Sequence, residues 1–582
     1  MILPAGSKSA LRPAFFVALL TLMLGALLLR LPDLGNRPFH GDEAVHAVKF
    51  RDLWEKGVYR YDANEFHGPT IYYAALPAMW LRGRRDFVAT QEADYRLPIV
   101  LFGAALLLWL APLADGLGRW SALWAATFIA LSPAFVFYSR YFIQEMLLAF
   151  FTLGALACGW RYLRSHYIGW LLGAAVCAGL MIASKETAVL TFVAVALSIW
   201  LTTLWTRRMD GYTLALRPLW NPKLILFALG LALLTACLFL TGFGTNLHGP
   251  VDYLRSYTPW LSRAQGTDLH RHPWYYYLQI LLWTHTPRRP VWSEGLIVGL
   301  AVVGFLAALH RQQKRPVTFE ADNQIKSTEV MDVEVLNAAS NEVSNDLTSH
   351  TYANATRQKT FIEGSVTLAR FFAFYTLTLT ALYSVIPYKT PWCVLSFLEG
   401  MIVLAGVGAA AILSRLPGLP LKIAASLLLI TGCAQLGWQA YNASYIYEVD
   451  DTNPYVYAQP VPESAKLGTR VEELAHSSPQ HDNLIIKVIS VDGYYWPLPW
   501  YLRRFPNVGY YTGQVPKDPD APIVLASPQF DDELTQKFET KYLMTGYYGL
   551  RPGAFFEVWV RMDLWKAHLE NRKKLPPPPD KD

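Results

Sequence analysis

Eleven apolar runs, each close to the length of a bilayer span, leave this chain few ways to fold. They cover residues 12–31, 96–114, 119–138, 141–160, 167–183, 187–205, 223–243, 293–310, 366–386, 391–413 and 420–440. A run of about 20 apolar residues crosses lipid as a helix, because a helix satisfies its own backbone N–H and C=O groups where no water can. The 582 residues are 53% hydrophobic and only 16% charged, with a mean hydropathy of +0.20, which excludes an ordinary water-soluble fold. The expected class is a polytopic α-helical membrane protein. The net charge of +6 reflects Lys and Arg in short loops rather than affinity for nucleic acid, so no nucleic-acid partner is expected. Cys158, Cys177, Cys237, Cys393 and Cys433 all fall inside apolar segments without CxxC spacing and read as small core residues. Lys8 and Arg12 precede the first run with no small-residue cleavage site, so that run is expected to be retained as a span.

Cytoplasmic loops are enriched in Lys and Arg, and this orients the spans. With the N-terminus inside, the short inner loops hold Arg119; Arg161 and Arg164; Arg207, Arg208, Arg217 and Lys223; and Arg415 and Lys422. Every one is basic, and eleven spans then send the C-terminal region, 441–582, outside. Residues 69–81 and 274–283 are apolar but too short to cross, and are expected as outer-face juxtamembrane helices. Residues 311–360 are polar, rich in Asn, Ser and Glu, and read as a flexible cytoplasmic loop. In 441–582, strands are expected at 484–490, 522–526 and 555–560 and helices at 462–476 and 531–538, a small α/β domain ending in the proline-rich tail 575–580.

This orientation gathers the unusual residues on one face. The first outer loop, 32–94, carries Arg37-Pro-Phe-His-Gly-Asp-Glu-Ala-Val-His46 and then Glu65-Phe-His-Gly-Pro69. The others carry Tyr138-Ser-Arg-Tyr-Phe-Ile-Gln-Glu145, Ser184-Lys-Glu-Thr187, His270-Arg-His-Pro-Trp-Tyr-Tyr-Tyr277 and Pro387-Tyr-Lys-Thr-Pro-Trp392. Adjacent acids beside lipid are costly and point to a site. A carboxylate there can act as general base toward a hydroxyl or amine, and a Lys or Arg can hold a lipid phosphate. Asp42, Glu43 and Glu145 suit the first role, and Lys185, Arg140 and Lys389 the second. The plainer alternatives are an interfacial lysine for Lys185 and an ion-pair partner of Arg140 for Glu145. A divalent metal ion is a further expectation, held by His40, His46, His67, His270 or His272 with Asp42 or Glu43, although no HxxxH or HExxH spacing supports it.

In order along the chain, these pieces resemble the GT-C superfamily of lipid-phosphosugar-dependent glycosyltransferases, which includes protein O-mannosyltransferases and aminoarabinose transferases. The resemblance rests on His40-Gly-Asp-Glu-Ala44, His67-Gly-Pro69, Ser139-Arg-Tyr141 through Glu145, Ser184-Lys-Glu186, His272–Tyr277, Tyr388–Trp392, Asn453-Pro-Tyr-Val-Tyr457 and Trp496-Pro-Leu-Pro-Trp-Tyr-Leu-Arg503. It is strongest toward a prokaryotic branch described as flippase-activity-associated, family-thirty-nine-like membrane proteins. It implies a GT-C-like domain over 1–440 and inverting transfer on the outer face, from a polyprenyl-phosphate-linked hexose or pentose to a glycan, lipid or protein acceptor. Carried over by position, Asp42 is the base, Glu43 positions it or a metal, and Glu145 is a second acid. Lys185 and Arg140 hold the lipid phosphate, with His67, Tyr388, Lys389 and Trp496 as further substrate contacts, and His40, Glu43 and His272 as the metal set. A non-catalytic lipid-sugar binder or flipping accessory is the alternative. The aromatics around Trp496 either bind an acceptor or dock the C-terminal domain.

Overall fold

The structure, a computed structural model, describes residues 13–64, 67–211, 221–265, 270–310 and 366–574. The loop 311–360, the tail 575–580, Lys8, Arg12, Glu65, Phe66 and Arg217 lie outside the described residues.

Eight helices are long and apolar enough to cross a membrane: Pro13–Arg30, Glu92–Leu117, Glu145–Ser165, Ala188–Asp210, Pro222–Leu240, Val366–Val385, Pro391–Arg415 and Leu419–Ile446. Two shorter apolar helices, Ile168–Ile182 and Gly295–Leu309, fall on expected spans. The first, with 15 residues, is about 22 Å long. The expected span 119–138 is two helices, Arg119–Leu131 and Pro133–Tyr138. Pro133 removes a backbone donor, and the Ser132 hydroxyl caps the new start by accepting from Phe135 N. Helices Pro222–Leu240 and Leu419–Ile446 bury little of themselves and turn Leu226, Leu234, Leu427 and Leu428 outward. Such faces are stable only with lipid as solvent. This is a multi-pass membrane protein.

The bundle's interior is set by small residues. An added Cβ at Gly304 would lie 2.0 Å from the Leu404 carbonyl oxygen, at Gly408 2.1 Å from that of Leu300, and at Gly406 2.2 Å from that of Ser121. Helices Gly295–Leu309, Pro391–Arg415 and Arg119–Leu131 therefore touch backbone to backbone, the way membrane helices gain packing without a hydrophobic drive. Polar bridges then tie the helix ends. Glu294 accepts from the Ser132 hydroxyl at 2.6 Å, Ala134 N at 2.9 Å and the Tyr455 hydroxyl at 2.8 Å. At the opposite end Arg370 pairs with Asp210.

Beyond the last span lies a five-stranded sheet. Its spatial order is Val508–Thr512, Ile486–Ser490, Ile523–Ala526, Ala554–Arg561, Tyr542–Arg551. The first three strands run parallel and the last two antiparallel to their neighbours. Helix Glu463–Ala475 covers one face through Leu467, Val471 and Leu474, and Asp531–Phe538 covers the other through Leu534 and Phe538. Burial on both faces explains why Ile523–Ala526 is an unbroken apolar run. The sheet is latched to the bundle by Trp500. Its indole donates to Glu92 at 2.8 Å and its ring meets Phe39, Phe87 and Tyr95. Arg503 donates to the Thr90 carbonyl at 2.9 Å, and Phe39 N to the Tyr501 hydroxyl at 3.1 Å.

Candidate active site

The Asp-Glu pair begins a helix, Gly41–Lys56, and the helix sends its two acids in different directions. His40 caps it: its Nδ1 accepts from Asp42 N at 3.1 Å, while the Glu43 carboxylate accepts from His40 N at 3.0 Å, a capping box. Glu43 is fully buried. Arg96 grips it in a two-pronged pair, Nε to Oε1 and Nη2 to Oε2, each 2.8 Å. Phe142 N adds a third contact to Oε1 at 2.9 Å, and Arg37 stands 3.8 Å from Oε2. Burial alone would raise the Glu43 pKa, but Arg96, Arg37 and the His40 amide outweigh it and hold the carboxyl down at about 2. Glu43 thus ties the first loop, helix Glu92–Leu117 and the loop before Glu145 into one piece. Asp42 points the other way, with its side chain 53% exposed.

Around Asp42 stand groups from three other parts of the chain. Tyr457 and Arg551 both feel its charge. His40 Nε2 lies 2.9 Å from the Tyr457 carbonyl oxygen, and its ring meets Trp392 at 5.6 Å. From the sheet region, Trp496 packs against the Gly41 backbone, where an added Cβ would sit 3.8 Å from the Trp496 Cβ. Arg551 lies over the Tyr494 ring, 4.7 Å from its centre. One turn along the helix, His46 is buried with Nδ1 2.9 Å from the Tyr72 hydroxyl. Burial holds its pKa near 3, so the imidazole is neutral at ordinary pH. The charges of Asp42 and Lys185 both reach His46, the first raising and the second lowering its pKa.

The structure brings Lys185 and Glu145 together as a buried ion pair, not Glu145 and Arg140. Burial lowers the Lys185 pKa, and Glu145, with smaller help from Cys393 and Tyr383, outweighs it, so the net shift is upward. Next to it, Glu186 accepts from the Tyr61 hydroxyl at 2.5 Å and pairs with His67 Nδ1 at 2.6 Å. Burial raises the Glu186 pKa, but His67 and Tyr61 bring it below the usual value. The two motifs dock because Gly68 N donates to the Ser184 carbonyl at 3.0 Å and Gly68 lies against the Ala183 carbonyl, where a Cβ would come within 2.0 Å. Arg140 stands apart from this group. It donates to the carbonyls of Arg30 and Pro32 at 2.8 and 2.6 Å and to the Tyr445 hydroxyl at 3.0 Å, bracing the exit of the first helix.

Lys389, Tyr388 and His272 form a neighbouring cluster. Lys389 N donates to the His270 carbonyl at 2.9 Å, His272 N to that of Pro387 at 3.1 Å, and Arg271 bridges Tyr388. The His270 ring bonds the Tyr457 hydroxyl, which joins this cluster to the surroundings of Asp42. Burial lowers the pKa of both Lys389 and His272. The metal set fares differently. Four donors occupy the oxygens of Glu43, His40 holds its own cap and the Tyr457 carbonyl, and His272 sits in the other cluster. Among the described residues no group of three or more His, Cys, Asp or Glu side chains could hold a metal ion.

Sequence reasoning missed Arg96, Arg37, Tyr457 and Arg551. An Arg at a span's start reads as an interfacial anchor, and nothing nearby names its partner 53 residues away. Tyr457 sits within a quoted motif, Asn453–Tyr457, that carried no assigned role.

Residues 79–246 match the family model of the dolichyl-phosphate-mannose-protein mannosyltransferases. No curated protein matches the chain. Among solved structures, ArnT from Cupriavidus metallidurans in the apo state is 14% identical, with a TM-score of 0.58 over 95% of this chain and 99% of ArnT. The same protein bound to undecaprenyl phosphate gives 14% identity and 0.53, over 94% and 97%. The chain therefore has the fold of ArnT, and its segment 79–246 is similar to the mannosyltransferase family model.

Proposed function

We propose that this chain transfers a sugar from a polyprenyl-phosphate-linked donor to an acceptor, with Asp42 as the base. One observation carries the reading: of the two adjacent acids, one is locked into the scaffold and the other is left open at the junction of bundle and sheet. In the step, the acceptor oxygen or nitrogen attacks the anomeric carbon and Asp42 takes its proton. The bond from that carbon to the phosphate oxygen breaks, and its electron pair leaves with the lipid phosphate. Attack opposite the leaving group inverts the sugar, and the donor is a hexose or pentose. His46, neutral and hydrogen-bonded to Tyr72, backs Asp42 without competing for the proton. The Lys185–Glu145 and His67–Glu186 pairs fix the loops that flank it. Trp496 and Tyr494 offer ring faces and Arg551 a cation for an acceptor such as a glycan, lipid or protein side chain, because Trp500 already performs the docking.

Support for the donor class comes from the ArnT fold, seen in one structure with undecaprenyl phosphate, and from the mannosyltransferase segment. Arg119, Arg161, Arg164, Arg207, Arg208, Arg415 and Lys422 all lie at the helix ends opposite Asp42, which favours a cytoplasmic N-terminus and an extracytoplasmic sheet region. The test is transfer in membranes from a polyprenyl-phosphate sugar. Asp42→Asn should lower it by about 10²–10⁴, the usual worth of a general base, and leave the melting temperature unchanged. Equal transfer by both proteins removes Asp42 from the chemistry, and a non-catalytic lipid-sugar binder would tolerate the change.

A further inference from the structure

Among the described residues, one fully buried carboxylate of the helix bundle has no partner. Glu399 lies about 12 Å along the helix Pro391–Arg415 from its Pro391 end, well inside a hydrocarbon layer about 30 Å thick. It is 1% exposed, and neither carboxylate oxygen accepts a hydrogen bond. No Lys, Arg or His among the described residues acts on its charge. The other buried acids of the bundle show the contrast: Glu43 has Arg96, Glu145 has Lys185, Asp210 has Arg370, and Glu294 has three donors. A bare carboxylate in an apolar interior is costly, and an ionisable group at membrane depth marks a binding function.

Hydroxyl oxygens gather at the same level. An added Cβ on Gly400 would lie 2.3 Å from Thr376 Oγ1, so this glycine lets the span Val366–Val385 bring that hydroxyl against the turn that carries Glu399. Tyr375 feels the charge of Glu399 and has Thr191 beside it. One turn nearer the candidate active site, the Tyr383 hydroxyl donates to that of Ser396 at 3.1 Å. These contacts bracket Thr380, one turn along from Thr376 on the same helix face. Helical Thr and Ser hydroxyls commonly bond the carbonyl four residues back, as Thr127, Ser198 and Thr235 do here. Thr376 Oγ1 and Thr380 Oγ1 are buried and bond neither that carbonyl nor Glu399. Buried oxygens brought beside a carboxylate and left unbonded to it suit a coordinated ion better than a hydrogen-bond network.

We infer that Glu399, Thr376, Thr380 and Tyr375 form a binding site for a monovalent metal cation inside the bundle. Carboxylate and hydroxyl oxygens are the ligands that hard cations take. The single carboxylate sets the valence. A singly charged ion brings the buried charge to zero, whereas a divalent ion leaves an excess positive charge, and no second acid acts on Glu399. The ion ties the spans Val366–Val385 and Pro391–Arg415 together at mid-depth. Ser396 and Tyr383 give it a polar route from the candidate active site, since Tyr383 also feels the charge of Lys185. The inference stands apart from the proposed transfer, which uses none of these four residues.

Full-length protein in detergent micelles is melted in sodium chloride, potassium chloride or choline chloride at equal ionic strength, with a chelator present to remove divalent ions. The melting temperature should climb with the logarithm of sodium or potassium concentration, as an ion that binds only the folded state requires, and stay flat in choline. Glu399→Gln, equal in size and uncharged, should melt at one temperature in all three salts. Thr376→Val and Thr380→Val should each need about tenfold more cation for the same rise. Asp42→Asn should respond as wild type does, which excludes an ion held in the loops around Asp42. Equal melting of wild type in the three salts overturns the inference and leaves Glu399 a protonated acid. A cation response that persists in Glu399→Gln also overturns it. Where Glu399→Gln does not fold, an unshifted response in both threonine variants is the refuting result.

Discussion

Replacing Glu43 by Gln keeps the side chain's size and removes one charge, which makes it the sharpest probe of how this site is held. Gln presents an NH₂ where two of the four donors now point, so at least one N–H of Arg96, Phe142 or His40 faces another donor. Arg96 and the nearby Arg37 then share no buried anion. The magnitude follows from the lowered pKa. Glu43 falls from an ordinary 4.5 to about 2, which at about 1.4 kcal/mol per tenfold makes about 3 kcal/mol of stability. That agrees with the roughly 3–5 kcal/mol lost when one partner of a buried pair is removed. The sign is fixed: a carboxyl depressed in the fold contributes fully above pH 4.5 and loses its contribution as pH falls toward 2. Glu43→Gln should therefore be destabilised by about 3 kcal/mol at neutral pH, and should lack the acid loss that wild type shows in that window. The assay is the unfolding midpoint in detergent micelles against pH, with half-exposed Asp42→Asn as the control that stays within about 0.5 kcal/mol of wild type. A Glu43→Gln protein that melts like wild type yet has lost transfer would refute the reasoning, because Glu43 would then meet the substrate rather than hold the frame.

Other outcomes are specific to the neighbouring contacts. His46 is held neutral with a pKa near 3 against an ordinary 6.5, so its contribution is complete above pH 6.5 and fades as pH falls toward 3; His46→Gln should flatten melting temperature against pH in that window. Lys185→Met and Glu145→Gln should each cost about 3–5 kcal/mol, and the double variant far less than their sum; additive losses in a double-mutant cycle would show that the pair is not coupled. Gly68→Ala, whose Cβ would come within 2.0 Å of the Ala183 carbonyl, should cost about 1–3 kcal/mol and expose the Tyr61–Glu186 contact to hydrogen exchange, whereas unchanged protection would mean the two loops slide apart freely.

The spans were legible because lipid demands length and apolarity together, and both are written locally. Where the expectation and the fold part, the cause is a local detail of backbone chemistry or a distant partner. Pro133 divides 119–138, and glycine-rich contacts let Gly295–Leu309 do with fifteen residues. The strands Val508–Thr512 and Tyr542–Arg551 were not visible, since their aromatics and glycines give no clean alternation. Asp42 and Glu43 look alike as letters. Their separation into an open acid and a buried strut arises from a helical turn of roughly 100° between neighbours and from Arg96, neither of which the motif states. Likewise Trp496 and Trp500 are four apart in one aromatic run, yet one meets the Gly41 backbone and the other is the latch.

The latch also sets a timetable. Phe39 N waits for a hydroxyl 462 positions later, and the His40 ring for a carbonyl 417 positions later. At about 5–20 residues per second, a ribosome takes about 20–90 s to deliver those partners after the first loop has been made. During that interval Glu43 and Arg96 can already have met, but the wall that Tyr457, Tyr494, Trp496 and Arg551 build around Asp42 does not exist. A nascent or prematurely terminated chain thus carries Asp42, the proposed base, with nothing to aim it. Competence is the last property this polypeptide acquires, arriving only when its far end folds back onto its beginning.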